Sequence, residues 1–286
     1  MAASIWSRAI GPGEPHAVLQ GNLMKMLVLA LLVSAFLYMG LLFLFQEKQI
    51  YFPDNPTREK MLAEVRRLGL APWPDDEGFR GLLREPTGRV RGTVVMFHGN
   101  AGHAGHREWY AGVFIRFGLR LILAEYPAYG SRDGSLGEKS LVADAQETLA
   151  MARQRFPGPL LLAGESLGAG VAAAAAKSSG ADAVLLITPW DRIQSVARHH
   201  FPWLPVGLLL RDRYDSSGNL SGYRGRVAVV IAGRDSIVPP EFGSRLFEDL
   251  SEPKRLWVVP AADHNDWMDR VDAVWWQSVV DFLVDG

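Results

Sequence analysis

Leu160-Leu161-Leu162-Ala163-Gly164-Glu165-Ser166-Leu167-Gly168-Ala169-Gly170 reads as a buried strand that breaks sharply into a helix, with Ser166 on the break. Apolar residues occupy both faces of the strand, the pattern of a parallel sheet covered by helices on both sides. Gly164 and Gly168 flank the serine where a side chain would collide with a tight strand-to-helix turn, and that geometry turns the hydroxyl outward. The stretch from Gly170 to Ala176 is nearly all glycine and alanine, so its helix can approach the sheet closely. With 29 glycines in 286 residues, a chance G-x-S-x-G has an expected count of about 0.2, so the surrounding chain has to carry the reading. The bland alternative is a serine that only caps the helix.

The surrounding chain does carry it. Thr93 to Phe97, Leu119 to Ala124, Ala183 to Ile187, Val227 to Ala232 and Leu256 to Val259 read as core strands. Helices are predicted over Arg107 to Phe117, Glu138 to Arg153, Glu241 to Leu250 and Trp267 to Val284, with a short one over 57 to 70 that turns Leu62, Val65 and Leu68 inward. Strands alternating with helices at these distances specify an α/β fold, a mostly parallel sheet with helices on both faces. A first hairpin is expected to pair Gly78 to Arg84 with Val90 to Met96 through Pro86, Thr87 and Gly88.

A serine hydroxyl is a weak nucleophile until a base within hydrogen-bond reach takes its proton and a third group orients that base. Both are predicted at the ends of later strands: Asp235 in Gly233-Arg234-Asp235-Ser236, and His264 in Asp263-His264-Asn265. Loops beyond the carboxyl ends of such strands converge on one crevice, and the chain order Ser, Asp, His is that of a hydrolase on this topology. Asp263 is the rival acid, but as the histidine's neighbour it reaches the far imidazole nitrogen poorly. Capping for His264 and an Asx turn for Asp235 are the structural alternatives.

Oxyanion donors are expected from the backbone N–H of Leu167 and of Asn100, the latter in the glycine-rich turn His98-Gly99-Asn100-Ala101-Gly102. His98 reads as support for that turn. His98, His103 and His106 could bind zinc, yet no fourth ligand is evident, and no metal or organic cofactor is expected. The turn lacks both G-x-G-x-x-G and a Walker lysine, so it is no phosphate cradle.

Composition limits the rest. A chain 48% hydrophobic with a formal charge of −1 can bury a large core and offers no broad nucleic-acid surface. Without cysteine, disulfides, thiol nucleophiles and thiolate metal sites are excluded, while the compartment stays open.

Met26 to Phe45 carries no charge, and 20 residues at about 1.5 Å each match the thickness of bilayer hydrocarbon. A buried core helix and a cleaved signal peptide are the competitors. The absence of a small-residue cleavage site at Phe45-Gln46-Glu47-Lys48 favours an uncleaved single-span anchor. The domain plan is therefore a flexible tail over 1–22, a transmembrane anchor over 23–46 and a catalytic domain over 47–286. Lys48, Arg58 and Lys60 after the span, against Lys25 and Arg8 before it, favour a cytoplasmic catalytic domain, while the short N-terminal tail also suits the opposite insertion. Tyr51, Phe52 and Pro53 are expected at the headgroups or packed on the domain. Residues 191–224, with Phe201-Pro202-Trp203-Leu204-Pro205, are too apolar for a solvent loop and read as a cap-like insertion, with a core helix as the alternative. Tyr129 and Trp190 are candidate pocket residues.

Several of these stretches resemble the membrane-anchored α/β-hydrolase-domain serine hydrolases: His98 to Gly102 with Gly105-His106-Arg107, Glu125-Tyr126-Pro127 to Tyr129-Gly130, Gly164 to Gly168, Gly233-Arg234-Asp235, Asp263-His264-Asn265, and the span followed by Gln46 to Pro53. The resemblance implies an α/β-hydrolase fold and a Ser166, Asp235, His264 triad. It also implies relatives that act as lipases, lysophospholipases or acyl-protein thioesterases, with some bearing peptidase labels. Pro127-Ala128 stands where the family usually has arginine or glycine, and the cysteine-rich N-terminus of its depalmitoylating branch is absent. The expected function is hydrolysis of an acyl ester or thioester on an amphiphilic, lipid-like substrate at the bilayer. A peptidase or amidase using the same triad, or a non-catalytic membrane scaffold, is the alternative. The sequence identifies no protein partner.

Overall fold

The computed structural model describes residues 14–285, in two compact units that divide after Gln46. The first unit is dominated by one helix, α1 (Glu14–Leu44), of 31 residues. Its stretch Asn22–Leu44 is long and apolar enough to cross a membrane, and none of that stretch is buried. The helix starts within the segment expected to be a flexible tail, with Pro15 in the first turn, where a missing N–H costs nothing. The rest of that tail, residues 1–13 with Gly11, Pro12 and Gly13, lies outside the described residues.

The second unit is built on an eight-stranded sheet. In chain order its strands are β1 (Ala71–Trp73), β2 (Gly81–Arg84), β3 (Gly92–Phe97), β4 (Leu119–Ala124), β5 (Leu160–Glu165), β6 (Ala183–Ile187), β7 (Arg226–Ala232) and β8 (Lys254–Val259). Their spatial order is β8-β7-β6-β5-β3-β4-β2-β1, with β3 to β8 parallel and β1 and β2 antiparallel at one edge. Helix α2 (Arg58–Arg66) precedes β1, and the helices between the strands include α3 (Trp109–Phe114), α4 (Glu138–Arg155) and α5 (Leu167–Ser179). After β6 comes an inserted cap of three short helices, α6 (Ile193–His200), α7 (Val206–Leu209) and α8 (Ser216–Leu220). The unit closes with α9 (Pro240–Asp249) and α10 (Ala273–Val284). This is the mostly parallel, doubly covered sheet with a cap that the sequence predicts.

The sheet is apolar on both faces because both are covered. Val95, Phe97, Leu160 and Leu162 join one core with α4 and α5, while Val94, Met96, Leu161 and Ala163 join the other with α3 and α10. From β3 the chain turns one way to β4 and then returns to the other side for β5, so the sheet's direction of winding reverses between β3 and β5. The carboxyl ends of those two strands flank the crevice where such folds place their chemistry.

Four expectations need correction. The proposed hairpin does not pair: β2 lies antiparallel to β4, because both flanks of β3 are taken by its parallel partners β4 and β5. Of the two readings of Tyr51, packing on the domain holds: its hydroxyl donates to Asp212 Oδ2 at 2.6 Å and lies 3.0 Å from the Tyr214 hydroxyl, whereas its neighbour Phe52 is exposed. Leu68 is exposed, because α2 ends at Arg66 and buries Met61, Leu62 and Val65 instead. The helix predicted over 107 to 117 is a 3-10 turn (Ala104–Arg107), the short α3 and a second 3-10 turn (Ile115–Phe117). The closing helix is likewise divided into a 3-10 turn (Trp267–Arg270) and α10, restarted by Asp272, whose carboxylate accepts from Trp275 N–H.

The helix–strand contact behind Ser166 leaves no room for a side chain: a Cβ at Gly168 would lie 2.0 Å from the Phe97 carbonyl oxygen, and one at Gly164 would lie 2.1 Å from the Gly168 carbonyl. Both obstacles are backbone atoms that cannot rotate away. Gly168→Ala is therefore expected to destabilise the second unit by about 3 kcal/mol or more, as overpacking against rigid backbone does, read as a lower urea midpoint by circular dichroism than for the exposed control Gly112→Ala, where a Cβ meets nothing within 4 Å.

Candidate active site

Ser166 sits between β5 and α5 at φ 54° and ψ −114°, a conformation that non-glycine residues avoid. Its amide donates to the Ile187 carbonyl at 2.9 Å, which fixes the turn to the end of β6. The hydroxyl lies 3.0 Å from His264 Nε2, and His264 Nδ1 lies 2.7 Å from Asp235 Oδ2. All three side chains are buried. A carboxylate only accepts, so Nδ1 carries the proton shared with Asp235, and Nε2 presents the lone pair that the serine hydroxyl meets.

Each partner is held from behind. Asp235 Oδ1 accepts from the amides of Ile237 and Val238 at 2.9 and 2.7 Å, leaving Oδ2 for the imidazole. Asp263, the rival acid, does not reach the ring. Its Oδ1 accepts from the amides of Ser236 and His264, at 2.8 and 2.7 Å, and so ties the histidine's loop to the aspartate's. Those hydrogen bonds, Ser236 first, hold its carboxyl below the usual range although it is exposed.

The glycine-rich turn after β3 lies against the start of α5, since the Gly168 position faces the carbonyls of both Phe97 and His98. Leu167 opens α5, so its N–H has no carbonyl one turn earlier in the helix to bond. Asn100 is locked on its other sides. Its carbonyl accepts from Phe52 N–H and from the Tyr129 hydroxyl at 2.7 Å, and its side-chain amide donates to the Ile50 carbonyl at 2.9 Å. Tyr129 is thus a fully buried brace for this turn, and the buried Trp190 donates to the Tyr214 carbonyl at 3.3 Å. Expected as pocket residues, both face the protein interior, where their polar groups found partners.

Two acids escaped the sequence reading. Glu165, beside the nucleophile, accepts from Arg107 Nε and Nη2 at 3.2 and 3.1 Å and from the Tyr110 hydroxyl at 2.9 Å. Glu125 spans the turn after β3, with Oε1 3.1 Å from His98 Nε2 and Oε2 accepting from Ala104 N–H at 3.0 Å. Glu165 is the last residue of β5 and Glu125 directly follows β4, and a charge buried in that position needs a partner. That was the legible signal.

The histidines do not act together. His98 is committed to Glu125, while the ligand atoms of His103, His106 and Asp54 lie within 4.8 Å of one another. His103 Nδ1 already accepts from Gly105 N–H at 3.0 Å, so in the neutral ring the other nitrogen carries the proton and offers no lone pair to a metal. Cavities of about 800 Å³ beside Arg58 and Arg132 and about 490 Å³ beside Trp109 and Arg116 have no triad residue in their walls.

Burial, and then the neighbouring His106, lower the pKa of His103 below 6.5. As pH falls through about 6.5 the unfolded ring takes up a proton that the folded ring resists, so this group withdraws stability with acidification. Denaturation midpoints from pH 7.5 to 5 are expected to fall less steeply in His103→Asn than in the parent.

A family profile described as serine aminopeptidase, S33, matches residues 88–211. An uncharacterized protein of Mycobacterium tuberculosis is 33% identical over 237 residues, spanning 77% of this chain and 81% of that one. The lysophosphatidylserine lipase ABHD12 of Danio rerio is 27% identical over 184 residues, or 57% and 48% of the two chains. Among solved structures, Est1E from Butyrivibrio proteoclasticus with ferulic acid bound superposes with a TM-score of 0.58 at 15% identity, covering 70% of this chain and 93% of that one. The chain belongs to the α/β-hydrolase-fold, serine-hydrolase-like family that it shares with the Mycobacterium tuberculosis protein.

Proposed function

We propose that this chain is a single-pass membrane-anchored serine hydrolase that cleaves carboxylic ester or thioester bonds of acyl, lipid-like substrates. The hydrogen-bonded relay from Asp235 through His264 to Ser166 carries the reading. In the proposed reaction Ser166 Oγ attacks the acyl carbonyl as His264 Nε2 takes its proton, and Asp235 steadies the resulting imidazolium. The N–H groups of Leu167 and Asn100 receive the carbonyl oxygen as it becomes negative. When the tetrahedral adduct collapses, the bond to the alcohol or thiol breaks and the leaving group departs with the His264 proton. A water deprotonated by the same nitrogen then attacks the acyl-enzyme and releases the acid.

The span in α1 and the name of the Danio rerio relative support a lipid-like substrate. The family profile's description supports a second reading, a peptidase with the same machinery. Fluorophosphonate labelling of the full chain in detergent is expected to be strong and to vanish in Ser166→Ala. Asp235→Asn is expected to lower kcat by about 10⁴-fold, the loss known when an aspartate of this kind no longer fixes the tautomer. Membrane lipid extracts incubated with parent and Ser166→Ala should differ in released fatty acids by mass. Equal turnover of unblocked peptides and no released acid would favour the peptidase, and a folded parent that resists labelling would overturn the catalytic reading.

A further inference from the structure

The second unit leaves several large apolar side chains exposed. Leu68, Val90, Val258 and Val274 lie on separate elements, as isolated surface residues usually do. Phe201, Trp203, Leu208 and Ile237 differ in belonging to linked segments, at 44%, 64%, 85% and 46% exposure. Phe201 and Trp203 belong to the run that joins α6 to α7 and Leu208 to α7 itself, and Leu204 N–H donates to the Phe201 carbonyl and Leu208 N–H to the Pro205 carbonyl. Ile237 is attached to it through His200, whose Nε2 donates to the Ile237 carbonyl at 2.8 Å. The Ile237 amide in turn donates to Asp235, so this apolar group adjoins the loop that bears the candidate acid.

The chain just beyond α7 is fastened to the first residues of the unit. Arg211 Nη2 pairs with Glu47 at 3.1 Å, and Asp212 Oδ2 accepts from the Tyr51 hydroxyl. Glu47 follows the last residue of α1 by three positions, at most about 11 Å of chain. The chain link thus ties the residue that Arg211 pairs with to the end of α1. The charge fits too. Across residues 191–224 the basic residues are Arg192, Arg198, Arg211, Arg213 and Arg224, with His199 and His200, against Asp191, Asp212 and Asp215. Asp215 pairs with Arg192 and Asp191 with Arg245, while Asp212 is bonded to Tyr51 and to Glu138 N–H.

We propose that the Phe201–Leu210 segment, with Ile237, is a bilayer-docking surface. Phe201, Trp203 and Leu208 sit among the headgroups and upper acyl chains of an anionic leaflet, flanked by the cap's arginines, and acyl substrates reach Ser166 from lipid rather than from water. The inference rests on the membrane reading of α1 and is independent of which acyl bond is cut.

The absence of native cysteine allows single-site labelling. Leu208→Cys, Val274→Cys and Leu32→Cys, each in the full chain, carry an environment-sensitive fluorophore. Each is reconstituted in phosphatidylcholine vesicles with or without phosphatidylserine, and doxyl-labelled lipid is the quencher. Quenching is expected at position 208, more strongly with phosphatidylserine, and at position 32 within the span, but not at position 274 on the opposite sheet face. A label at 208 that behaves like the one at 274, while 32 is quenched, overturns docking and leaves the span standing. No quenching at 32 overturns the span itself. In parallel, Leu208→Glu should lose about tenfold or more of its activity on a vesicle-borne long-chain ester, the factor expected of one leucine losing its apolar surroundings. Its activity on a short water-soluble ester should stay within about twofold of the parent, and equal loss on both substrates overturns the proposal.

Discussion

The catalytic edge depends on how closely one helix can approach one strand. At Gly168 the backbone of α5 meets the carbonyls of Phe97 and His98 with no space for even a methyl group. That contact brings the N-terminus of α5 beside the turn that follows β3, and the turn to Ser166 at φ 54° is the conformation that makes it possible. The strain at this residue persists because its surroundings over-determine it: the amide is bound to β6, and the helix behind it is packed into the core.

Buried charge does the remaining positioning. Glu165 and Glu125 stand at the carboxyl ends of β5 and β4, on either side of β3, and each is satisfied by groups from the segment that follows β3: Arg107 and Tyr110 for one, His98 and Ala104 for the other. An unpaired carboxylate there would be costly, so each arrangement tolerates little displacement. The same economy operates at the triad. One oxygen of Asp235 is consumed by two backbone amides, Asp263 binds the two loops together, and the imidazole is left one orientation.

The cap is part of this unit's packing. Tyr51, Asp212, Tyr214 and Glu138 form a mostly buried knot that joins the start of the unit, the end of the cap and the first turn of α4. Burial pushes the Tyr214 hydroxyl well above its ordinary pKa, so it keeps its proton and its hydrogen bond across the physiological range. Tyr51 was legible only as an aromatic after an apolar run, and nothing local distinguished a headgroup contact from a core contact.

The sequence by itself determined what depends on local periodicity and turn chemistry. The boundaries of β4 and β6 were legible to the residue, as were the elbow at Ser166 and the chain order of serine, acid and base. Strands buried on both faces declare themselves as apolar runs, and glycine declares a forced backbone approach. Tertiary structure alone decided which strands are neighbours, where the polar groups of Tyr129 and Trp190 are satisfied, and what holds Glu125 and Glu165. Partners chosen across the fold depend on the whole sheet's winding and on the need to satisfy every buried polar group, and neither constraint is visible in a window of neighbouring residues.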